Sequence, residues 1–263
     1  MTTGKRFSWK LFLIVWVACL VGVLAIIPYA LTLQAPALAQ MALPPMPVLV
    51  LASLIQSGVL FAVAAAAGLF FAYRIGLGLP ILEAKLAGEK VGARIRAILL
   101  PSIVLGVLGS LVIIALDAWG FIPLIRSELG TQAQRLALSA QPPAWQGLLA
   151  SLYGGIDEEV LLRLFVMSLL AFLGKFVSHT AEGRPTLAVL WIANVFAAIL
   201  IGLGHLPATA ALVPLTPLVI MRAVVLNGAL GIVFGYLYFT RGLESAMLSH
   251  SSADIVLHVL AAF

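Results

Sequence analysis

Apolar residues fall in long blocks along this chain, and polar residues gather between them. The blocks run about Leu11 to Leu33, Val48 to Tyr73, Ala97 to Trp119, Trp145 to Phe176, Thr186 to His205, Leu218 to Thr240 and Glu244 to Phe263. A helix needs roughly 20 apolar residues to cross a bilayer, and each block is of that order or longer. The pattern predicts an all-α fold, a polytopic transmembrane helical bundle of about seven spans. The fourth block is too long for one simple span. Gly154-Gly155 divides it into a short first segment, a break, and a helix that starts near Ile156. Gln34 to Pro47 reads as an uncharged, proline-bearing linker. Arg74 to Arg96 reads as a basic loop whose middle, Pro80 to Ile95, is a candidate interfacial helix. Leu124 to Ser139 is a second candidate helix, ended by Pro142-Pro143. Gly228, Gly231 and Gly235 allow close packing on the sixth span, and Arg241-Gly242-Leu243 forms a tight turn before the last.

Composition strengthens this picture. Over 263 residues the chain is 63% hydrophobic and only 10% charged, and its mean hydropathy is +1.15. No soluble fold of this length hides so much apolar surface. One bundle is expected, with no room for a separate water-soluble domain. The single cysteine, Cys19, excludes a disulfide within the chain and a cysteine-based zinc cage. The net charge of +5 carries no basic cluster interleaved with aromatics, so no nucleic-acid partner is expected. It acts instead as an orientation signal. With the N-terminus cytoplasmic, inner segments hold eleven lysines and arginines and outer ones only Arg126 and Arg135. Lys5, Arg6 and Lys10 before the first block, with Ala37-Leu38-Ala39 after it, imitate a signal peptide. The apolar run is too long for one, and a retained first helix is expected.

Ionisable groups within apolar spans are costly and by default mark function. The densest set is Asp157-Glu158-Glu159 with Arg163. On a helix Glu159 and Arg163 lie four apart on one face and can pair, whereas Glu158 points about 100° away and keeps a carboxylate that the local arginine need not neutralise. Acids in the first turn suit the helix dipole, and Asp157 reads as the cap. His250, Asp254 and His258 form one stripe on the last helix, at i, i+4 and i+8. His205 ends another span. Such groups suit hydrolysis, in which a carboxylate takes a proton from water and histidines shuttle it or hold an oxyanion. Ser249, Ser251 and Ser252 read as packing residues, and no serine or cysteine is set up as a nucleophile. The rival chemistry is a divalent metal such as zinc on Glu158, His205 and His250. The one-helix His-Glu-x-x-His signature is absent, however, and no cofactor is favoured.

Glu158-Glu159-x-x-x-Arg163, then His205 at the end of a later span, then His250-x-x-x-Asp254 in the last span resembles the CPBP intramembrane protease family. That family includes the CAAX prenyl endopeptidases, or Ras-converting enzymes, together with bacteriocin-processing and self-immunity proteins. The likeness covers about Gly147 to Phe263 and extends to Gly235 to Tyr238 followed by Arg241-Gly242. It implies a membrane-embedded domain with helices in residues 1–146 and a catalytic core in 147–263. It also implies an endopeptidase acting on a membrane-associated or prenylated (CAAX-type) protein or peptide. By this resemblance Glu158 activates water, His205 cooperates with it, His250 and Asp254 contact the oxyanion and substrate, and Glu159 with Arg163 supports the site. One departure is Ile201, where the family often has phenylalanine. The alternatives are a non-catalytic scaffold or immunity protein of the same fold, and a proton-coupled transporter. His258 and Arg222 are expected outside the catalytic set, Arg222 near an interface. Simple spans put His205 near the outer face and His250 about two turns from the inner face, which leaves their meeting unexplained.

Overall fold

A computed structural model describes residues 7–39, 44–133 and 142–260. Among these residues the fold is helical, with a lone bridge between His179 and Pro185 as its extended pairing. The helices are α1 (Trp9–Leu33), α2 (Met46–Ile75), α3 (Pro80–Leu86), α4 (Gly92–Leu116) and α5 (Ile122–Leu129). They continue with α6 (Ala144–Tyr153), α7 (Ser168–Gly174), α8 (Leu187–Gly204), α9 (Leu206–Ala210), α10 (Pro217–Arg241) and α11 (Leu243–Ile255). Five stretches are long and apolar enough to cross a membrane: Trp9–Leu33, Met46–Ile75, Gly92–Ala133, Leu187–Ala210 and Pro217–Arg241. The protein is an integral membrane bundle. Two further helical stretches, 144–174 and 243–260, pack among the five and carry Glu158, Glu159, Arg163, His250 and Asp254.

Lipid tails are as apolar as leucine side chains, so close approach of backbones, rather than exclusion of oil from water, holds such helices together. Small residues mark each contact. On α4, Ser102, Gly106 and Ser110 form a buried stripe against α11. The Ser102 and Ser245 hydroxyls lie 2.7 Å apart, Ser110 donates to the Ala253 carbonyl at 3.2 Å, and a Cβ on Gly106 would overlap the Ser249 carbonyl. Gly202 of α8 sits on Val224, and Gly231 and Gly235 of α10 sit on Ala198 and Asn194, so α8 and α10 run antiparallel in near contact. Large apolar side chains such as Leu51, Ile55, Val59 and Val63 on α2 point outward, where a bilayer would meet them.

At one end of the bundle the α10–α11 turn is bolted to α3. Gly242 adopts φ 99°, and a side chain there would strike the Pro80 ring. Leu243 N–H donates to the Gly78 carbonyl at 3.0 Å, and Glu244 accepts from Ile81 and Leu82 N–H at 2.9 Å each, satisfying the first turn of α3. The candidate interfacial helix is therefore short: α3 stops at Leu86, and Gly88 turns the chain at φ 82°. The expected helix over 124–139 lies partly outside the described residues. Its described part is the end of α5 and a 3₁₀ turn, Gly130–Ala133.

The expected break at Gly154-Gly155 does not occur. The chain stays helical from Ala144 to Gly174, widening into π-helical turns at Gly154–Glu158 and Val160–Met167. In this membrane helix the glycines serve contact, not termination. A Cβ on Gly154 would overlap the Asp254 carboxylate, and one on Gly155 would overlap the Ser251 hydroxyl. The acids consequently sit in mid-helix and not in a first turn.

Candidate active site

The π-helical turns aim the charged side chains. A wide turn inserts an extra residue and shifts the register of the helix beyond it, and such turns are frequent at functional sites. Here Glu158 and Glu159 diverge. Glu159 is fully buried and forms an ion pair with Arg163, whose Nη1 lies 2.9 Å from Oε1, with Arg163 equally buried. Arg163 also donates through Nη2 to the Gly231 carbonyl at 2.9 Å, which ties the pair to α10. The same Glu159 oxygen lies 2.8 Å from His250 Nδ1. The Phe234 ring stacks on the imidazole at 4.4 Å between centroids and 17° between planes. With Nδ1–H donated to Glu159, Nε2 faces open space. It stands 3.8 Å from Glu158 Oε2 and 3.7 Å from Asp254 Oδ1. These separations are too long for hydrogen bonds and suit a bridging oxygen atom.

The open space is a cavity of about 260 Å³ lined by Glu158, His205, His250, Asp254 and His258, with Tyr29, Tyr153 and Asn227 among its further polar walls. A second cavity of about 550 Å³ adjoins it on the other side of Glu158 and His205 and is bounded by Ile27, Ala30, Leu161 and Leu200. The difficulty of depth disappears here, because one cavity extends from the end of α8, where His205 caps the helix, to the middle of α11. His205 bonds through Nδ1 to the Ile201 carbonyl at 2.8 Å, leaving Nε2 free of that contact. Ile201 lines both cavities, so the departure from phenylalanine lies in the wall of the site.

Other sequence expectations need correction. Asp157 caps nothing. It is fully buried against α1, neither oxygen has a hydrogen-bond partner among the described residues, and a Cβ on Gly22 would overlap it. Arg222, expected near an interface and outside the catalytic set, has an acidic partner that the sequence did not reveal. It pairs in two-pronged fashion with Asp117, Nε to Oδ1 at 2.7 Å and Nη2 to Oδ2 at 2.6 Å, joining α10 to the π turn after α4. His258 lies on the cavity wall, with Nδ1 3.0 Å from the Tyr29 hydroxyl and Nε2 4.0 Å from Asp254 Oδ1. Sequence reasoning missed Tyr29, Tyr153 and Asn227 because uncharged polar residues in apolar blocks carry no spacing signal. No three histidine, cysteine or acidic side chains among the described residues are arranged as ligands for one metal ion, and His250 Nδ1 is already engaged by Glu159.

An all-α membrane bundle that encloses carboxylates and imidazoles in one cavity has the equipment of an intramembrane hydrolase. Residues 140–256 match the family described as type II CAAX prenyl endopeptidase Rce1-like, somewhat less than half of the chain. The matched segment runs from just before α6 to the end of α11 and so contains Glu158, Glu159, Arg163, His205, His250 and Asp254. No curated protein and no solved structure matches the chain. That segment is thus similar to a family of CAAX-type prenyl endopeptidases.

Proposed function

We propose that the protein is an intramembrane endopeptidase that hydrolyses a peptide bond of a membrane-associated or prenylated CAAX-type substrate with water activated by Glu158 and His205. The observation that carries this reading is the shared cavity, in which Glu158, His205, His250 and Asp254 all present side chains to one small space. A water between Glu158 and His205 gives up a proton to the carboxylate as its oxygen attacks the scissile carbonyl. Glu158 or His205 then delivers that proton to the departing amine. His250, oriented by Glu159, points Nε2 toward the position where the carbonyl oxygen gains charge. Negative carboxylates around the ring stabilise positive charge on it when it donates to the oxyanion. Asp254 holds the far side of His250 or contacts substrate. Glu159 and Arg163 position His250 and do not touch the reacting atoms.

The test is cleavage of an internally quenched, farnesylated CAAX-type peptide by the purified protein in detergent or nanodiscs. Glu158→Ala and His250→Ala are expected to lose at least about a hundredfold in kcat/KM. Full activity in either variant would refute the reading. If the wild type cleaves nothing while both variants complement the wild type in cells, a scaffold or immunity role stands instead. Uptake of a solute driven by a pH gradient would indicate a transporter. Activity that survives exhaustive chelation, with no stoichiometric metal by elemental analysis, would support the glutamate mechanism over a metal-dependent one.

A further inference from the structure

The family match begins at residue 140, yet the cavity has a wall that precedes it. That wall is Tyr29 on α1, which reaches across the bundle to His258 on the π turn Val256–Leu260, with the phenol oxygen 3.0 Å from Nδ1. The rings meet edge to face, 5.3 Å between centroids and 66° between planes, so two contacts fix their mutual orientation. On its other side His258 Nε2 faces Asp254 Oδ1 at 4.0 Å, and the same oxygen lies 3.7 Å from His250 Nε2. A continuous run of polar groups thus passes from α1 through His258 and Asp254 to His250, Glu159 and Arg163.

The direction of the hydrogen bond is set by the neighbours. If His258 Nδ1–H donated to Tyr29, its Nε2 lone pair would face an Asp254 oxygen, and two acceptors would repel. If Tyr29 O–H donates to Nδ1, Nε2 carries the hydrogen and presents it to the carboxylate. The second arrangement satisfies the Tyr29 hydrogen bond and turns Nε2–H toward the carboxylate 4.0 Å away, a separation that a water can bridge. The remaining polar groups on this cavity wall are Glu158 and Tyr153 from the 144–174 helix, His205 after α8 and Asn227 on α10. The hydrogen-bond partner of His258 Nδ1 is the Tyr29 hydroxyl.

We propose that Tyr29 and His258 are positioning residues for the reaction: Tyr29 fixes the His258 tautomer, and His258 Nε2–H orients the Asp254 carboxyl toward His250. The assignment rests on the peptidase reading above and adds α1 to the working parts of the site. It also gives α1 a role beyond packing, because a shift of its Tyr29 end would release Asp254. Loss of either member should lower turnover without weakening substrate binding, since neither touches the scissile bond.

Two measurements on the full-length protein test this. The first needs no substrate: nitrogen NMR of the protein labelled at its four histidines, with His258→Gln identifying the His258 resonances. Wild type should show the Nε2–H tautomer at His258, and Tyr29→Phe, which keeps the ring packing, should give a mixture. The second uses the farnesylated quenched peptide. Tyr29→Phe and His258→Gln should each lower kcat about tenfold with KM within about twofold, since misplacement of a catalytic group falls on turnover. The double variant should cost no more than either single, as expected for groups acting in series. Tyr236→Phe, on a residue stacked on Trp191 away from the cavity, serves as the control. An unchanged His258 tautomer in Tyr29→Phe would overturn the proposal, as would single-variant losses that multiply in the double. If the wild type fails to cleave the peptide, the peptidase reading falls, and the NMR result alone decides whether Tyr29 sets His258.

Discussion

At the residue scale the central fact is a fully buried arginine and glutamate that also hold a histidine. An ion pair withdrawn from water contributes little net stability, but breaking it is expensive, about 3–5 kcal/mol, because one charge is stranded. Arg163→Met is therefore expected to lower the thermal midpoint sharply, since buried Glu159 loses its permanently charged partner and keeps only the titratable His250 among the described residues. Glu159→Leu combined with Arg163→Met removes both charges and should recover much of that loss. The double variant should nevertheless remain inactive, because His250 Nδ1 has lost its acceptor and its aim. Thermal unfolding in detergent beside the peptide assay separates the two effects, and recovery of activity together with stability would contradict the positioning role of Glu159. This pair was legible in the sequence because i, i+4 spacing survives the π-helical widening. The fate of Asp157 was not legible. A cap there depends on a helix start that does not exist, and its burial is set by Gly22, a residue on another helix.

At the scale of elements, the contact between the 144–174 helix and α11 decides the geometry of the site. Gly154 and Gly155 let α11 approach until its polar stripe meets the acids, and Gly147 does the same for the π turn at His258. In a soluble helix a glycine pair suggests a stop. In a membrane helix the backbone has no water to turn to, so the helix persists and the missing side chains become a docking face. The two central glycines should respond differently to enlargement. Gly154→Ala places a methyl group against the Asp254 carboxylate and 3.1 Å from His250 Nε2, so kcat should fall by about tenfold to a hundredfold. Gly155→Ala meets Ser251 and the Met247 carbonyl, outside the reacting groups, and should cost mainly stability, about 1–3 kcal/mol. Equal loss of turnover in both, at matched thermal midpoints, would mean that helix spacing alone governs activity and that the placement of Asp254 does not.

At the scale of the whole molecule, the seven apolar blocks predicted a helical membrane bundle well, because block length and charge sparsity are properties of the chain alone. The meeting of His205 with His250 was not predictable from straight spans, since depth depends on how helices tilt and where their cavities run. If the peptidase reading proposed above holds, the cavities offer a route by which a substrate in the bilayer would reach Glu158. A cleft of about 210 Å³ between α1 and α2, lined by Leu31, Leu38, Met46, Leu49 and Val50, is mostly apolar. It shares Ile27, Ala30, Gln34 and Ser53 with the larger cavity that ends at Glu158 and His205. An apolar passage that joins the outer face of two lipid-exposed helices to a carboxylate suits a substrate with a hydrocarbon tail, the tail in the cleft and the peptide at the acids. Filling the junction should therefore hinder binding and leave the chemistry alone. Ala30→Trp is expected to raise KM for the farnesylated peptide about tenfold or more, with kcat at saturation little changed, because the interaction lost is the same in ground and transition states. The effect should shrink for the same peptide without its lipid, which makes no use of the cleft. A fall in kcat with KM unaltered, or an equal effect on both peptides, would place the lipid elsewhere and leave this cleft as a packing defect between α1 and α2.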